Sequence, residues 1–219
     1  KPKYTYSVAW KFIKKYRQKK LIFADIGVGN GSQIIFLKKK KTKWNFIGTD
    51  IKKKLILHAR KITNCNIIFD DINKKKTTLK ADIINVGGVL NCYDNPKLFL
   101  DNIILRCNKK AKIIINDYFN DHSVDMLISY RDNKKKKFKN EINQKGFNRF
   151  SKEYIASLLR KNKHVKSFKF TKIVFPKKIH VKKSNDHIRT WTTTYKNKKF
   201  FINALGLIQE RYILLISLK

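Results

Sequence analysis

The 219-residue sequence has little of the residues that mark fibrous, disulfide-rich or membrane-spanning proteins. It contains only 8 glycines, 3 prolines and 3 cysteines, and no apolar run approaches the roughly 18 residues that a membrane span requires. Because 42% of its residues are hydrophobic and 12% are aromatic, it is not a disordered tail or a low-complexity array. We therefore expect one folded domain over residues 1–219.

Cysteine is too scarce and too widely spaced to form a framework. Cys65, Cys92 and Cys107 are odd in number and lie 27 and 15 positions apart, which fits neither a set of disulfides nor a zinc site. The first residues also lack the apolar stretch of a signal peptide. We expect a protein of the reducing cytoplasm without a metal cluster, although a Mg²⁺ ion near Asp117 stays open.

Acidic residues are scarce as well. The chain has 15 of them against 52 Lys plus Arg, a net charge of +37, and such an excess usually indicates a polyanionic partner. However, Arg supplies only eight of the 52, and nucleic-acid-binding proteins favour Arg for bidentate contacts. Lys is spread over the whole chain, as codon bias in an AT-rich genome would also produce. Both interpretations favour phosphorylated ligands over cationic ones.

What is present is a regular alternation of short apolar runs and amphipathic stretches. It predicts an α/β fold, a doubly wound Rossmann-like sheet that is mostly parallel, with helices on both faces and an antiparallel final strand. The predicted strands are 21–25, 45–50, 66–69, 81–86 and 111–117, and the helices are 6–18, 31–40, 52–62 and 96–107.

The last third of the chain has a different pattern. Ser151 is a candidate N-cap for a helix to about residue 160, residues 166–175 and 211–218 are predicted strands, and 190–195 with 200–203 resemble a hairpin. The strand at 211–218 is almost wholly apolar, which predicts a central place in the sheet. Insertions near 118–150 and 176–203 are expected to form the side where a substrate binds.

Three glycines follow the first predicted strand. The strand ends in Asp25, and Gly27, Gly29 and Gly31 come at alternate positions before a helix. Glycine permits positive φ and lets a ligand lie against bare backbone at a helix N-terminus. The dinucleotide fingerprint places its third glycine where this chain has Ser32. The spacing is therefore not that of an NAD site, and a tight turn without a ligand is the alternative.

Four of the few acids follow successive predicted strands. Asp25, Asp50, Asp71 and Asp117 lie at or just beyond the strand ends, the edge where doubly wound sheets bind ligands. A carboxylate at the end of the second strand, where Asp50 stands, can accept both hydroxyls of a ribose. The placement of the acids therefore predicts a nucleotide-like ligand at this edge.

These motifs resemble those of the class I S-adenosylmethionine-dependent methyltransferases, of the small stand-alone bacterial type. The Asp25 to Gly31 stretch is similar to motif I, residues 66–72 to the third-strand motif, and residues 81–91 to the fourth-strand motif. The resemblance covers residues 21–117 in order and spacing. It implies a methyltransferase enzyme whose cofactor is S-adenosylmethionine.

The resemblance also implies roles for the cofactor-binding residues. Asp25 would hold the ammonium group, the motif I glycines would give backbone access, and Asp50 beside Ile51 would bind the ribose. The adenine would lie at the third strand and the methionine portion over the fourth. The residues implied there are Asp71, with Asp70 as an alternative, and Ile72 for the adenine, and Gly87 and Gly88 for the methionine portion.

The reaction mainly requires that the acceptor be aligned behind an already activated methyl group, and a general base contributes when the acceptor is a hydroxyl. The expected catalytic residues are His122 and Tyr130, with Asp117 and His187 as alternatives. The expected substrate-binding residues, all in the predicted insertions or beside them, are Tyr118, Asn120, Arg131, Arg189 and Trp191. Arg131 and Arg189 are candidate clamps for a phosphate or carboxylate, with surface ion pairing as the alternative.

Three functions remain open. The first is methylation of a small, anionic molecule such as a sugar or nucleotide-linked glycan precursor. The second is methylation of RNA, although the fourth strand lacks an Asn/Asp-Pro-Pro-Tyr box and Cys92 lacks a Pro-Cys context. The third is a binding protein without activity. The aromatic N-terminus, with Tyr4, Tyr6 and Trp10, packs on the sheet or also covers the substrate, and the oligomeric state stays open.

Overall fold

A computed structural model describes residues 3–131, 144–176, 179–183 and 189–219 of the protein. In these ranges the strands are β1 Ile22–Ile26, β2 Asn45–Asp50, β3 Asn66–Phe69, β4 Ala81–Gly87, β5 Cys107–Asn120, β6 Ser129–Tyr130, β7 Gln144–Lys145, β8 Phe150–Ser151, β9 Val165–Lys172, β10 Trp191–Tyr195, β11 Lys198–Ile202 and β12 Arg211–Leu218. The helices are α1 Tyr4–Ile13, α2 Ser32–Lys38, α3 Lys53–Thr63, α4 Pro96–Leu105 and α5 Lys152–Lys161.

The main sheet has the strand order β3-β2-β1-β4-β5-β12-β9, and β8 lies beside the end of β5. Strands β1 to β5 pair in parallel, while β12 runs antiparallel to both β5 and β9. This confirms the predicted mostly parallel sheet with an antiparallel final strand, and β12 is central as expected. The strand order reverses between β1 and β4, which places a ligand crevice at their carboxyl ends.

Helices cover the two faces of the sheet in separate groups. One buried cluster packs α4 and α5 against side chains such as Ala24 and Ile84. The other packs α1, α2 and α3 against Phe23, Ile83 and Ile114. Because side chains alternate along a strand, each strand contributes every second residue to the face that α1 to α3 cover.

Local sequence explains where several elements begin. The Asn95 side chain accepts a bond from the Leu98 amide ahead of Pro96, and Ser151 Oγ accepts one from the Tyr154 amide, which confirms the predicted N-cap. Helix α1 ends earlier than predicted because a 3-10 turn follows it at Lys14–Tyr16. Strand β5 is longer than predicted at both ends.

The two predicted insertions contain short strands. In the first, β5 continues to Asn120, and β6 pairs with β7. The Lys134–Lys137 run lies outside the described residues. In the second, β10 and β11 form the predicted hairpin. In the described ranges no helix is long and apolar enough to cross a membrane.

A buried ion pair joins β3 to the end of α4. Arg106 is fully buried and Asp70 is 8% exposed, and Arg106 Nε and Nη2 donate to the two Asp70 carboxylate oxygens at 2.6 Å each. Further guanidinium bonds go to the carbonyls of Asn102, Asp71 and Lys74. This pair therefore fixes the loop that follows β3.

Replacing Asp70 with Ala should strongly destabilise the fold. The change leaves the Arg106 charge buried without its partner, which typically costs about 3–5 kcal/mol of unfolding free energy, measurable by urea denaturation. The control is Lys97→Ala, which breaks the exposed pair with Asp101 and should leave the midpoint nearly unchanged. Equal effects of the two substitutions would contradict the prediction.

Candidate active site

The turn between β1 and α2 is built from three glycines in the left-handed region. Their φ angles are +68° at Gly27, +54° at Gly29 and +73° at Gly31. A Cβ would lie 2.5 Å from the nearest side-chain atom at both outer positions, Val89 Cγ2 for Gly27 and Thr63 Cγ2 for Gly31, whereas at Gly29 the nearest atom is 3.9 Å away. The outer glycines therefore permit close packing, and the middle one leaves bare backbone facing open space.

The carboxylate of Asp50 ties this turn to β2. Its Oδ2 accepts from the Gly29 amide at 3.1 Å and its Oδ1 accepts from the Lys52 amide at 2.9 Å. The neighbouring Ile51 is 52% exposed, an apolar side chain at the edge of the crevice. The pair of residues predicted to bind the ribose is therefore at the rim of the glycine turn.

Asp25 lies one strand away and is almost fully buried, at 4% exposure. The Asn85 side chain of β4 donates to its Oδ1 at 2.8 Å. Burial raises the pKa of Asp25 to about 7, the Asn85 bond opposes the rise, and the charge of Asp50 adds to it. A cationic group beside Asp25 would stabilise its ionised form, so this carboxylate fits the ammonium group of S-adenosylmethionine.

At the end of β3, the structure separates the roles of the two adjacent acids. Asp70 is committed to Arg106, whereas Asp71 is half-buried and accepts from the Asn73 amide at 3.0 Å. Asp71 is therefore the acid at the adenine side that is not committed to an ion pair. The Ile72 side chain packs in the core at 2% exposure, which leaves its backbone as the part that can meet the adenine.

The residues predicted for the methionine portion lie at the end of β4. Gly87 is exposed and pairs with Asn116 of β5, and Gly88 has a φ of +70° and donates to the Asn116 carbonyl. Beside them, Asp117 is fully buried and accepts from the backbone and side chain of Asn91. Asp117 therefore holds the β4 to α4 loop, and the described residues contain no cluster of three metal-ligating side chains.

Tyr118 lies near the carboxyl end of β5, at the predicted acceptor side. It is buried and lies opposite Arg211 of β12, whose guanidinium group donates to the Tyr118 hydroxyl. By strand alternation Tyr118 and Arg211 share the face of Asp25, Asn85 and Asn116. The structure therefore places Tyr118 on the same side of the sheet as the cofactor residues.

The other residues predicted for catalysis and substrate binding are less closely grouped. His122 is exposed, and its backbone amide donates to Oδ1 of Asn120. The side-chain amide of Asn120 in turn donates to the Val124 carbonyl. The Asn120 side chain thus shapes the turn that follows β5. Tyr130 is half-buried, with its ring 6.4 Å from Phe147, which lies 6.4 Å from Tyr118.

The predicted residues in the insertions take different positions. Arg131 is exposed at the end of the first described range. Arg189 is exposed as well, and Trp191 is half-buried in β10 with Lys183 Nζ 5.8 Å from its ring. His187 lies outside the described residues. The proton-transfer roles of His122 and Tyr130 stay predictions.

Sequence reasoning missed Arg149, Arg211 and Asn116. Asn116 is 6% exposed, and its Oδ1 has no hydrogen-bond partner. Nothing in the sequence marks the two arginines, because each gains its place only through pairing with distant segments. The polar Asn116 within the apolar run of β5 is the one signal that could have pointed to the site.

Comparison with known proteins agrees with this fold. A family model described as a methyltransferase domain matches residues 17–190, and no curated protein matches the chain. A solved structure similar to this chain is 1,6-didemethyltoxoflavin-N1-methyltransferase of Burkholderia thailandensis with bound 1,6-didemethyltoxoflavin and S-adenosylhomocysteine. Its TM-score is 0.56 at 12% identity, over 98% of this chain and 76% of that chain.

Two further structures are similar over nearly the whole chain. Magnesium protoporphyrin IX methyltransferase of Synechocystis PCC 6803 with bound S-adenosylmethionine has a TM-score of 0.52 at 14% identity, over 96% of this chain and 76% of that chain. A protein described for the conversion of a disulfide bond into a thioacetal group during echinomycin biosynthesis has a TM-score of 0.59 at 11% identity, over 100% of this chain and 82% of that chain.

The fold and the carboxyl-edge crevice define a class I S-adenosylmethionine-dependent methyltransferase. The chain belongs to the methyltransferase domain family, whose model spans most of its length. The cofactor supplies a methyl group that is already activated on a sulfonium. The individual contacts, with Asp25 at the ammonium group and Asp50 at the ribose, fit the geometry and stay predictions.

The glycine turn gives a test of where the cofactor lies. Gly29→Ala should weaken binding of S-adenosylhomocysteine at least about tenfold, or about 1.4 kcal/mol, because its methyl group enters the space over bare backbone. Isothermal titration calorimetry measures this loss. Gly31→Ala should instead mainly destabilise the fold, and Thr63→Ser in the same chain should relieve part of that effect, because it removes the methyl group 2.5 Å away.

Cofactor affinity should depend on the ionisation of Asp25. Because the cofactor-free protein keeps this carboxyl protonated below about pH 7, the affinity for S-adenosylhomocysteine should fall about tenfold per pH unit below that value. Above it the affinity should be constant. Titrations from pH 5.5 to 8.5 check this, and Asp25→Asn should bind weakly with a flat profile. A pH dependence retained by Asp25→Asn would assign it to another group.

Proposed function

We propose that the protein transfers the methyl group of S-adenosylmethionine to a small anionic molecule, such as a sugar or nucleotide-linked glycan precursor. The observation that carries the proposal is the set of positive charges beside the acceptor face. Arg211 Cζ and Arg149 Cζ lie 4.4 Å and 5.9 Å from the centroid of the Tyr118 ring, and desolvation together with the positive charges of Arg211 and Arg189 lowers the pKa of Lys3. An anion bound there would offset the mutual repulsion of these side chains.

Helix α1 lies over the same face of the sheet as the predicted acceptor side. Tyr6 packs against Phe36 with ring centroids 6.0 Å apart, and burial and the charge of Asp25 raise the pKa of Tyr6 to about 12. Since α1 lies on the face that carries Asp25 and Tyr118, it would cover an acceptor bound at the carboxyl ends of these strands. Such a covered space suits a small molecule better than a folded RNA.

The residues of the chain act mainly by positioning. Asn116 Oδ1, buried without a partner, can accept a hydrogen bond from the acceptor, and the cationic side chains can hold its acidic end. Alignment of two bound reactants can contribute about 7–11 kcal/mol to catalysis. We infer that the protein works in the reducing cytoplasm, since Cys65, Cys92 and Cys107 are free thiols.

The test is methyl transfer from radiolabelled S-adenosylmethionine to a panel of sugar phosphates, nucleotide sugars, organic acids, their neutral analogues, and bulk RNA. We expect label in one or more anionic small molecules, none in the matching neutral analogue, and less label with Gly29→Ala when the cofactor is below saturation. Transfer confined to RNA, with an affinity that falls steeply with salt, would overturn the proposal in favour of an RNA methyltransferase.

A further inference from the structure

Two of the eight arginines of this chain lie against the same aromatic ring at one corner of the acceptor side. Arg211 Cζ lies 4.4 Å from the centroid of the Tyr118 ring, and Arg149 Cζ lies 5.9 Å from it. Arg189 lies close enough for its charge, like that of Arg211, to lower the pKa of Lys3. Because Lys serves as the basic residue nearly everywhere else, a compositional bias does not explain this concentration of Arg.

The charges at this corner are not neutralised within the described residues. Arg149, Arg211 and Lys3 form no ion pair there with a carboxylate, and the Nε of Arg149 is buried without a hydrogen-bond partner. Two acids are nearby, and neither forms an ion pair with these arginines within the described residues. Asp117 accepts bonds from Asn91, and Glu210 pairs with Lys172 at 2.7 Å.

The guanidinium groups are held by fixed partners. Arg211 donates to the Tyr118 hydroxyl, and Arg149 donates through Nη2 to the Ile208 carbonyl. Stacking on one buried ring limits the freedom of both side chains, and a guanidinium group offers paired donors that match the oxygens of an acidic group. The corner therefore has the features of a prepared anion site.

We propose that Arg149 and Arg211 bind a phosphate group of the methyl acceptor, with Tyr118 as the ring that positions both guanidinium groups. The inference rests on the proposed function and names the part of the acceptor that this corner holds. A phosphate carries about −1.5 to −2 charges and three acceptor oxygens, which matches two guanidinium groups better than a singly charged carboxylate does.

The experiment measures binding of inorganic phosphate to the full chain saturated with S-adenosylhomocysteine, by isothermal titration calorimetry at fixed ionic strength. Arg211→Gln and Arg149→Gln should each weaken phosphate binding at least about tenfold. Arg211→Lys should retain part of the affinity, because it keeps the charge but loses the planar fork. Acetate serves as the carboxylate probe and should bind more weakly than phosphate.

Arg160→Gln is the matched control. Arg160 also lies over an aromatic ring, with Cζ 6.0 Å from the centroid of Phe168, and it packs on the α5 side of the sheet. Like Arg211→Gln, this substitution removes one positive charge and one contact with an aromatic ring. Any general attraction of phosphate to a protein of net charge +37 is therefore reduced equally in the two variants. It should change phosphate affinity less than about twofold.

The outcomes separate this inference from the proposed function. Equal loss in Arg211→Gln and Arg160→Gln, or no phosphate binding by a chain that binds S-adenosylhomocysteine, would overturn the phosphate site and leave the methyltransferase assignment intact. Acetate binding as tightly as phosphate would also overturn it. Thermal unfolding of each variant checks the fold, and Arg149→Gln tests the site should Arg211→Gln fail to fold.

Discussion

The bond from the Gly29 amide to the Asp50 carboxylate is the contact on which the rest of the site depends. It joins the ends of β1 and β2 across a turn that only residues with positive φ can form. With this turn fixed, Asp25 and Asp50 lie at one edge although they repel each other. Burial of Asp25 then leaves a carboxyl group that gains its charge most readily when a cation arrives.

The fold could be predicted, and the acids and glycines at the carboxyl edge of β1 to β3 could be located, because their signals are local in sequence. A glycine turn, an acid at a strand end and the alternation of apolar runs each occupy a few residues, and β2, β3 and β12 have the predicted bounds. The sequence left the choice open where two adjacent acids could both contact the adenine. The choice between Asp70 and Asp71 depended on Arg106, which is more than 30 residues away in the chain.

The acceptor half could not be predicted in the same way. Tyr118, Arg149 and Arg211 come from three separate segments, and only the pairing of β5 with β12 brings them together. The sequence predicts Asn120 as a substrate-binding residue and His122 as a catalytic residue. In the structure the chain turns immediately after β5, and the Asn120 side chain forms hydrogen bonds within that turn. Side-chain type alone does not distinguish a ligand contact from a turn residue.

The position of β12 between β5 and β9 has a consequence for how the molecule assembles. The cofactor half draws on neighbouring segments, whereas the contact between Tyr118 and Arg211 closes a loop of 93 residues. Loops of that size close late, because their entropy is lost before distant contacts form. The cofactor crevice can therefore take shape during synthesis before the opposite wall exists, and local opening of β12 would disable the acceptor side while sparing the other.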